Sequence, residues 1–323
     1  MSEDIPSRAL DALACPDCGG AVTGDCSLVC DGCGEKYPVL NGIPRFVADD
    51  TYASSFALQW NRHARTQIDR FNGSTISRDR FFGETRWPED LSGRKILEAG
   101  CGAGRFTQVV LDAGAEVWSF DMSGSVDACL ENNGSAKNLR LFQADVLHPP
   151  FRKGSFDGIF CFGVLQHTPE PRRAFLSLAP LLREGGEIVV DTYNRNSLGA
   201  WFHPKYYMRM FARRMDSEKL YRKVRRIVPR LLPISGALRK IPLLGRPLSL
   251  MVPVADYRGI LPIREDQAED WAILDTFDWL SPRYDRPQTA RRVRGWFAEA
   301  GLEDVEVTAD RGLIVGRGKK HDG

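Results

Sequence analysis

Between residues 95 and 191 the apolar positions gather in short runs, each closed by a glycine, an acid or a polar turn. Runs at 95–98, 116–120, 139–143, 158–162 and 187–191 are too short for helices and read as strands. The stretches between them are longer and mixed, and their ends carry helix signals. Gly114 follows the first helical stretch, and Pro171 opens one that runs to Leu182 and stops before Gly185-Gly186. Strict alternation of strand and helix predicts an α/β domain, a parallel sheet with helices on both faces. Further on, 289–300 reads as a helix capped by Thr289 and ended by Gly301, and 305–308 with 313–316 as a closing hairpin. A helical stretch also begins at Phe56-Ala57-Leu58-Gln59-Trp60-Asn61-Arg62. Its aromatic Trp60 suits either a lid over a ligand or a packed helix face.

The first strand passes into Glu98-Ala99-Gly100-Cys101-Gly102-Ala103-Gly104-Arg105-Phe106. Glycines at every second position let the main chain turn tightly and approach a ligand, and the helix start beyond offers unpaired N–H groups. Dinucleotide-binding loops read Gly-x-Gly-x-x-Gly, whereas this one reads Glu-x-Gly-x-Gly-x-Gly. Two further acids, Asp121 and Asp145, stand where the next two strands end. This pattern resembles the class I S-adenosylmethionine-dependent methyltransferases, over residues 93–193 with a return near the C-terminus. The resemblance implies a Rossmann-like, seven-stranded, mostly parallel sheet whose last strand is antiparallel. It also implies a cofactor site drawn from Glu98, Gly100, Cys101, Gly102, Gly104, Asp121, Met122, Asp145, Val146, Phe162 and Trp60. The glycine loop would face the methionine part, Asp121 the ribose hydroxyls, and Asp145 with the Val146 backbone the adenine edge. The chemistry agrees: a carboxylate offers two oxygens to a diol, and carboxylates and aromatic faces stabilise a sulfonium. A nucleotide-binding fold of other chemistry and a non-catalytic cofactor-binding adaptor remain open, although the complete glycine set and both acids speak against them.

Four of the eight cysteines form two knuckles, Cys15-Pro16-Asp17-Cys18-Gly19 and Cys30-Asp31-Gly32-Cys33-Gly34. In each, the glycine after the second cysteine permits a tight bend that aims two thiolates at one ion. Two knuckles complete a sulfur site suited to structural Zn²⁺, with no open position for catalysis. Paired disulfides or a redox motif are the alternatives, and a thioredoxin-like context for the latter is missing. With Tyr37-Pro38-Val39-Leu40-Asn41-Gly42-Ile43-Pro44-Arg45-Phe46 after the knuckles, the run from Leu13 to Val47 resembles the small zinc-ribbon proteins that activate methyltransferases, which implies such a ribbon fused to the domain that follows. Cys26 is expected in a strand; Cys101, Cys129 and Cys161 read as core or pocket-wall residues.

The expected organisation is a zinc ribbon at 1–47, a helical cap or linker at 48–92, a methyltransferase core at 93–194 plus 283–320, and a helical substrate-binding insertion at 195–282. Overall the chain is near neutral, with 44 basic against 42 acidic residues. Charge is nevertheless segregated. From Arg195 to Arg246 there are 14 Lys and Arg against Asp216 and Glu218, a net +12 that leaves −10 for the remainder. Trp201, Phe202, Tyr206, Tyr207, Met208, Met210 and Phe211 are interleaved with these charges. Such a stretch suits a membrane surface, a phosphate-rich substrate or RNA, or is a solvated helical cap. No run of 18 apolar residues is present and the first residues lack the apolar core of a secretory signal. The expected location is therefore cytoplasmic, with peripheral association at the inner membrane surface through 195–250.

For chemistry, His167 just past the fourth strand is the general-base candidate, with a supporting role for its loop as the alternative. Asp191, Tyr193, Asn194, Tyr206, Arg283 and Tyr284 are placed to meet an acceptor. The favoured acceptor is a small or lipid-linked anionic molecule methylated on a hydroxyl. An rRNA or tRNA base is the alternative, weakened by four cysteines where such enzymes carry a histidine ligand and by Cys161-Phe162-Gly163-Val164 where amino-base chemistry uses an Asn-Pro-Pro-Tyr run.

Overall fold

A computed structural model describes residues 10–47, 52–195, 204–310 and 312–322. Trp201 and Phe202 lie outside the described residues. The N-terminal part is a curled four-stranded antiparallel sheet, β1 (Val22–Thr23), β2 (Ser27–Cys30), β3 (Lys36–Leu40) and β4 (Ile43–Pro44). Cys26 lies exposed in the turn just before β2, outside the strand in which it was expected. Helices α1 (Ser54–Arg62), α2 (Asp69–Asn72) and α3 (Ile76–Thr85) follow.

The main sheet has seven strands in the order β10-β11-β9-β8-β5-β6-β7. They are β5 (Lys95–Ala99), β6 (Glu116–Asp121), β7 (Leu139–Gln143), β8 (Phe156–Cys161), β9 (Leu182–Tyr193), β10 (Leu302–Asp310) and β11 (Leu313–Lys320). β5 through β9 pair in parallel, and β11 is antiparallel to both β9 and β10. Helices α4 (Arg105–Asp112), α5 (Ser125–Asn133), α6 (Pro171–Leu178) and α11 (Ala290–Glu299) flank it. Between β9 and α11 come α7 (Pro204–Ala212), α8 (Ser217–Arg239), α9 (Gly245–Ser249) and α10 (Glu265–Leu280).

Most boundaries follow from local chemistry. Thr289 Oγ1 accepts from Arg292 N and starts α11, while Gly114 and Gly301 take φ +87° and +67° just beyond their helices. Others differ from expectation: β8 begins two residues earlier, and the closing hairpin is longer, Leu302–Asp310 with Leu313–Lys320. α6 ends at Leu178 and tightens into a 3₁₀ turn over Ala179–Leu181, because Pro180 cannot donate to the helical ladder. β9 therefore begins at Leu182 and runs through Gly185-Gly186 instead of starting after them, with a register irregularity against β8 that the left-handed Gly185 (φ +69°) accommodates.

The cysteine-bearing sheet shares a core with the main one. Leu13, Leu28, Tyr37 and Phe46 belong to the same buried cluster as Trp118, Phe120 and Phe142. Main-chain bonds stitch the join: Ala14 N to Pro150 O, Arg152 N to Ala12 O, and Phe46 N to Gln143 O.

Candidate functional site

β5 is buried on both sheet faces and delivers its chain directly into the glycine turn. Gly100, Gly102 and Gly104 all take positive φ, at +87°, +52° and +88°. A side chain is excluded there by space as well as by conformation. A Cβ on Gly100 would stand 2.1 Å from Val164 Cγ2, and one on Gly104 2.1 Å from Asn133 Nδ2. The turn is pinned to β6 by Gly100 N and Cys101 N, both donating to Phe120 O. Gly102 N donates to Asp121 Oδ2 at 3.0 Å, and Ser123 N and Oγ donate to Oδ1. The carboxylate is thus held rigidly at the end of β6, with lone pairs to spare.

Gly100, Cys101, Gly102 and Asp121 border a cavity of about 910 Å³, near the top of the range of ~300–1,000 Å³ for small-molecule sites. Of the residues singled out from sequence, Trp60, Gly100, Cys101, Gly102, Asp121, Met122, Val146, Phe162, His167, Tyr193, Asn194 and Tyr206 line it. Trp60 lies against the glycine turn: a Cβ on Gly102 would be 3.1 Å from its indole.

Glu98, Gly104, Asp145, Arg283 and Tyr284 do not line the cavity. Glu98 lies beneath the turn, fully buried, with Thr107 Oγ1 and Ser119 Oγ both donating to Oε2. Burial lifts its carboxyl to about 7, against the pull of these two hydroxyls. Asp145 accepts from Leu147 N and from the Tyr52 hydroxyl, and Tyr52 does reach the cavity. Tyr284 sits edge-on to Tyr52, and its carbonyl is 3.1 Å from His167 Nδ1. A carbonyl can only accept, so Nδ1 carries the proton and a neutral His167 keeps its lone pair on Nε2. The rings of Phe56 and Tyr193 hold the imidazole from two sides.

Several cavity residues had not been singled out. Arg80 on α3 reaches 111 positions along the chain to Asp191 on β9 and also binds Glu84. Burial opposes the Arg80 charge, but Asp191 and Glu84 hold its pKa above the ordinary value. Asp191, expected to face the acceptor, is instead fully buried on Arg80 and does not line the cavity; burial raises its carboxyl, Arg80 draws it back, and Gly163 N donates to its other oxygen. On α10, Asp275 and Asp278 face inward. Asp275 accepts from Gln67 Nε2 and Tyr257 OH, and burial raises it to about 6; Asp278 accepts from Gln59 Nε2. Gln59 Oε1 is buried on the cavity wall with no partner among the described residues, an acceptor left for a ligand. Lys205 lies near the faces of Tyr193, Tyr206 and Trp279, and burial lowers its pKa. A spacing of three or four between Trp271, Asp275 and Asp278 was the one available sequence signal for the α10 face.

At the other site, the sulfurs of Cys15, Cys18, Cys30 and Cys33 lie within 4.8 Å of one another. Cys15 and Cys33 are 3.7 Å apart and Cys18 and Cys30 3.3 Å, too far for disulfide bonds of ~2.05 Å. Four thiolates ~2.3 Å from one tetrahedral ion would stand ~3.8 Å apart, so the set fits a metal. Gly20 N and Gly32 N donate to Cys18 Sγ and Cys30 Sγ. A Cβ on Gly20 would come within 3.0 Å of Cys30 Sγ, and Gly19 and Gly34 take φ +75° and +76° as the knuckles require.

Residues 97–190 match the family model described as a methyltransferase domain. The ubiquinone biosynthesis O-methyltransferase of Erwinia tasmaniensis is 34% identical over 129 residues, covering 38% of this chain and 53% of that protein. The tRNA U34 carboxymethyltransferase of Idiomarina loihiensis is 36% identical over 111 residues, covering 32% and 34%. The chain spans about half the length of the first of these relatives and a third of the second. Among solved structures, a complex of the Haloferax volcanii Trm112 methyltransferase activator with a methyltransferase aligns at 12% identity and TM-score 0.49, covering 85% of this chain and 99% of that one. The chain thus has a class I S-adenosylmethionine-methyltransferase-like fold with, at its N-terminal end, a cysteine cluster capable of binding a metal.

Proposed function

We propose that this chain is an S-adenosylmethionine-dependent methyltransferase that methylates a hydroxyl of a small-molecule or lipid-linked acceptor. The carrying observation is the glycine turn tied to Asp121, opening on a cavity large enough for a cofactor and a second molecule. The residues fit such a cofactor: the turn presents bare backbone where any Cβ would collide, and Gln59 Oε1 awaits a donor. In this reading Gly100, Cys101 and Gly102 receive the methionine part, Asp121 and Met122 the ribose, and Val146 the adenine, while Gly104 and Asp145 hold the turn and the adenine side from behind the cavity wall. Phe162 and Trp60 cover the turn, and Glu98 sets its charge from below.

When bound, the cofactor supplies an electrophilic methyl whose bond to sulfur breaks, leaving a neutral thioether, as the acceptor oxygen bonds the carbon. No acid is needed for that leaving group, so alignment and exclusion of water carry much of the rate. His167, its Nδ1–H fixed on Tyr284 O, takes the hydroxyl proton on Nε2. Tyr193, Asn194 and Tyr206 line the acceptor side, and Arg283 and Tyr284 support it from behind. Zn²⁺ on Cys15, Cys18, Cys30 and Cys33 holds the N-terminal sheet together without entering the reaction.

Likeness to a ubiquinone biosynthesis O-methyltransferase supports a hydroxyl acceptor. Likeness to a tRNA U34 carboxymethyltransferase and the basic helices support RNA as the second reading. Calorimetry of the metal-loaded chain with S-adenosylmethionine and its demethylated product tests the first claim; no heat from either refutes it. Mass spectrometry of metabolite and RNA extracts incubated with labelled cofactor tests the second. Label on a small or lipid-linked molecule supports the hydroxyl reading, and label on an RNA base overturns it.

A further inference from the structure

Helix α7 is inside out for a helix bathed in water. Its buried residues are Arg209 and Ala212, and Arg209 donates to Trp279 O and Pro282 O close to Asp285. Its outward residues are Tyr207, Met208, Met210 and Phe211, the last 70% exposed. A solvated helix reverses this arrangement. The same inversion continues beyond α8. Leu243 is 99% exposed and holds φ +62°, a conformation that strains a leucine, and Leu244, Leu250 and Met251 are exposed beside it. Of the 15 large hydrophobic side chains exposed among the described residues, 13 fall between Tyr207 and Ile260. Concentration on this scale marks an interaction surface.

Charge identifies what covers it. No acidic residue occurs between Lys219 and Ala255. On α8 the outward stripe Lys223, Ile227, Arg230, Ile234 alternates cation and aliphatic, all exposed, with Arg222 and Arg226 beside it. Two copies of so basic a surface would repel each other. Only Tyr207 and Phe211 of these 13 offer a face for stacking bases, the usual means of holding single-stranded nucleic acid; the other eleven are aliphatic or methionine. Cationic side chains around projecting aliphatic ones match anionic headgroups over acyl chains.

We infer that the surface formed by α7, the exposed face of α8 and residues 241–251 docks on an anionic lipid bilayer. Leu250 and Met251 are exposed and also line the cavity, as do Lys205 and Tyr206 of α7, so docking brings the cavity rim to the headgroups. On the methyltransferase reading, a membrane-dissolved acceptor then reaches the cavity without crossing water; the docking itself does not depend on that reading.

The test is flotation of the full chain with vesicles of phosphatidylcholine, with and without phosphatidylglycerol, across a salt series, beside RNA filter retention and light scattering. Binding is expected only with phosphatidylglycerol and falls at least tenfold from low to high salt. The double variant Leu243→Ser/Leu244→Ser weakens it at least tenfold, and Arg222→Ser/Arg226→Ser by a similar factor. Cofactor calorimetry of each variant stays at the parent value, since none of these residues lines the cavity. No vesicle binding at low salt, equal binding to neutral vesicles, RNA retention without vesicle binding, or a dimer abolished by the leucine variant would each overturn the inference. Loss of cofactor heat from the parent chain would instead strike the methyltransferase reading and leave docking intact.

Discussion

Glu98→Gln separates the cost of a buried acid from its use. Glu98 is 1% exposed, and both of its hydroxyl donors, Thr107 and Ser119, converge on one carboxylate oxygen. Burial lifts the carboxyl from an ordinary 4.5 to about 7. Once folded and unfolded states are both ionised, that lift costs the fold on the order of 3 kcal/mol. The folded chain binds this proton more tightly than the unfolded one. The Glu98 contribution therefore favours folding at low pH and is lost as pH rises from about 4.5 through about 7. Glutamine keeps an oxygen for Thr107 and Ser119 but never charges; its amide N–H group, left without an acceptor, returns roughly 1–2 kcal/mol of the gain. The variant should then be about 1–2 kcal/mol more stable than the parent near pH ~8.5, a melting point higher by roughly 2–6 °C. By about pH 5.5 the parent recovers ~2 kcal/mol through protonation and the gap closes. Cofactor binding should move the other way. Removing a carboxylate from beneath the turn should weaken S-adenosylmethionine, which carries a sulfonium, several-fold more than its neutral demethylated product. Melting curves at the two pH values and calorimetry with both ligands check this. A stability difference that does not change with pH, or equal loss of both ligands, would refute the reasoning.

Gly100→Ala must force Val164 aside and hold φ +87°, costing roughly 2–4 kcal/mol in denaturant unfolding; adding Val164→Ala should restore only the steric share. Asp121→Ala should abolish most cofactor heat while leaving the melting point within a few degrees, because only Gly102 and Ser123 lose an acceptor. Elemental analysis should find one zinc per chain, and chelation should lower the melting point by several degrees; metal-free protein with an unchanged melting curve would refute the zinc assignment. On the acceptor found by labelling, His167→Ala should cut turnover about 10²-fold with cofactor heat unchanged; equal loss of both would make His167 scaffolding.

What could be read from sequence divides along a physical line. The central strands β5 and β8 are buried along almost their whole length and so read as mostly apolar runs, and the glycines and cysteines announce themselves by spacing. Pairings set by distant packing left little local trace. Asp191 stands out as a strand-end acid, but its partner Arg80 is an ordinary helix residue until α3 crosses the end of β9. Asp275 and Asp278 look like the solvated side of α10, yet α10 is covered on most sides and its acids meet Gln67, Tyr257 and Gln59. Gly185-Gly186 reads as a helix stop but serves as an irregularity inside β9. The basic stretch was legible as charge; that α7 turns its arginine in and its aromatics out was not.

The N-terminal sheet is more than a tethered neighbour of the cavity. Arg45, one residue past β4, is 8% exposed; its Nη1 donates to Gln143 Oε1 at 3.0 Å and its Nη2 to Asp127 Oδ1 at 2.7 Å. Gln143 passes the connection on, donating from Nε2 to Met122 O at 3.1 Å, and Met122 lines the cavity beside Asp121. Asp127 lies in the first turn of α5, just beyond Ser123, which holds Asp121 in place. One arginine thus braces both sides of the segment that carries Asp121. The pair with Asp127 is half-exposed and contributes little by itself. The bond to Gln143 is buried, and its loss would leave an unsatisfied amide oxygen at a cost of roughly 1–3 kcal/mol. Since β4 pairs with β3, and β3 with the strand that carries Cys30, a continuous line of backbone and side-chain contacts runs from the cysteine-bearing strand to the cavity wall.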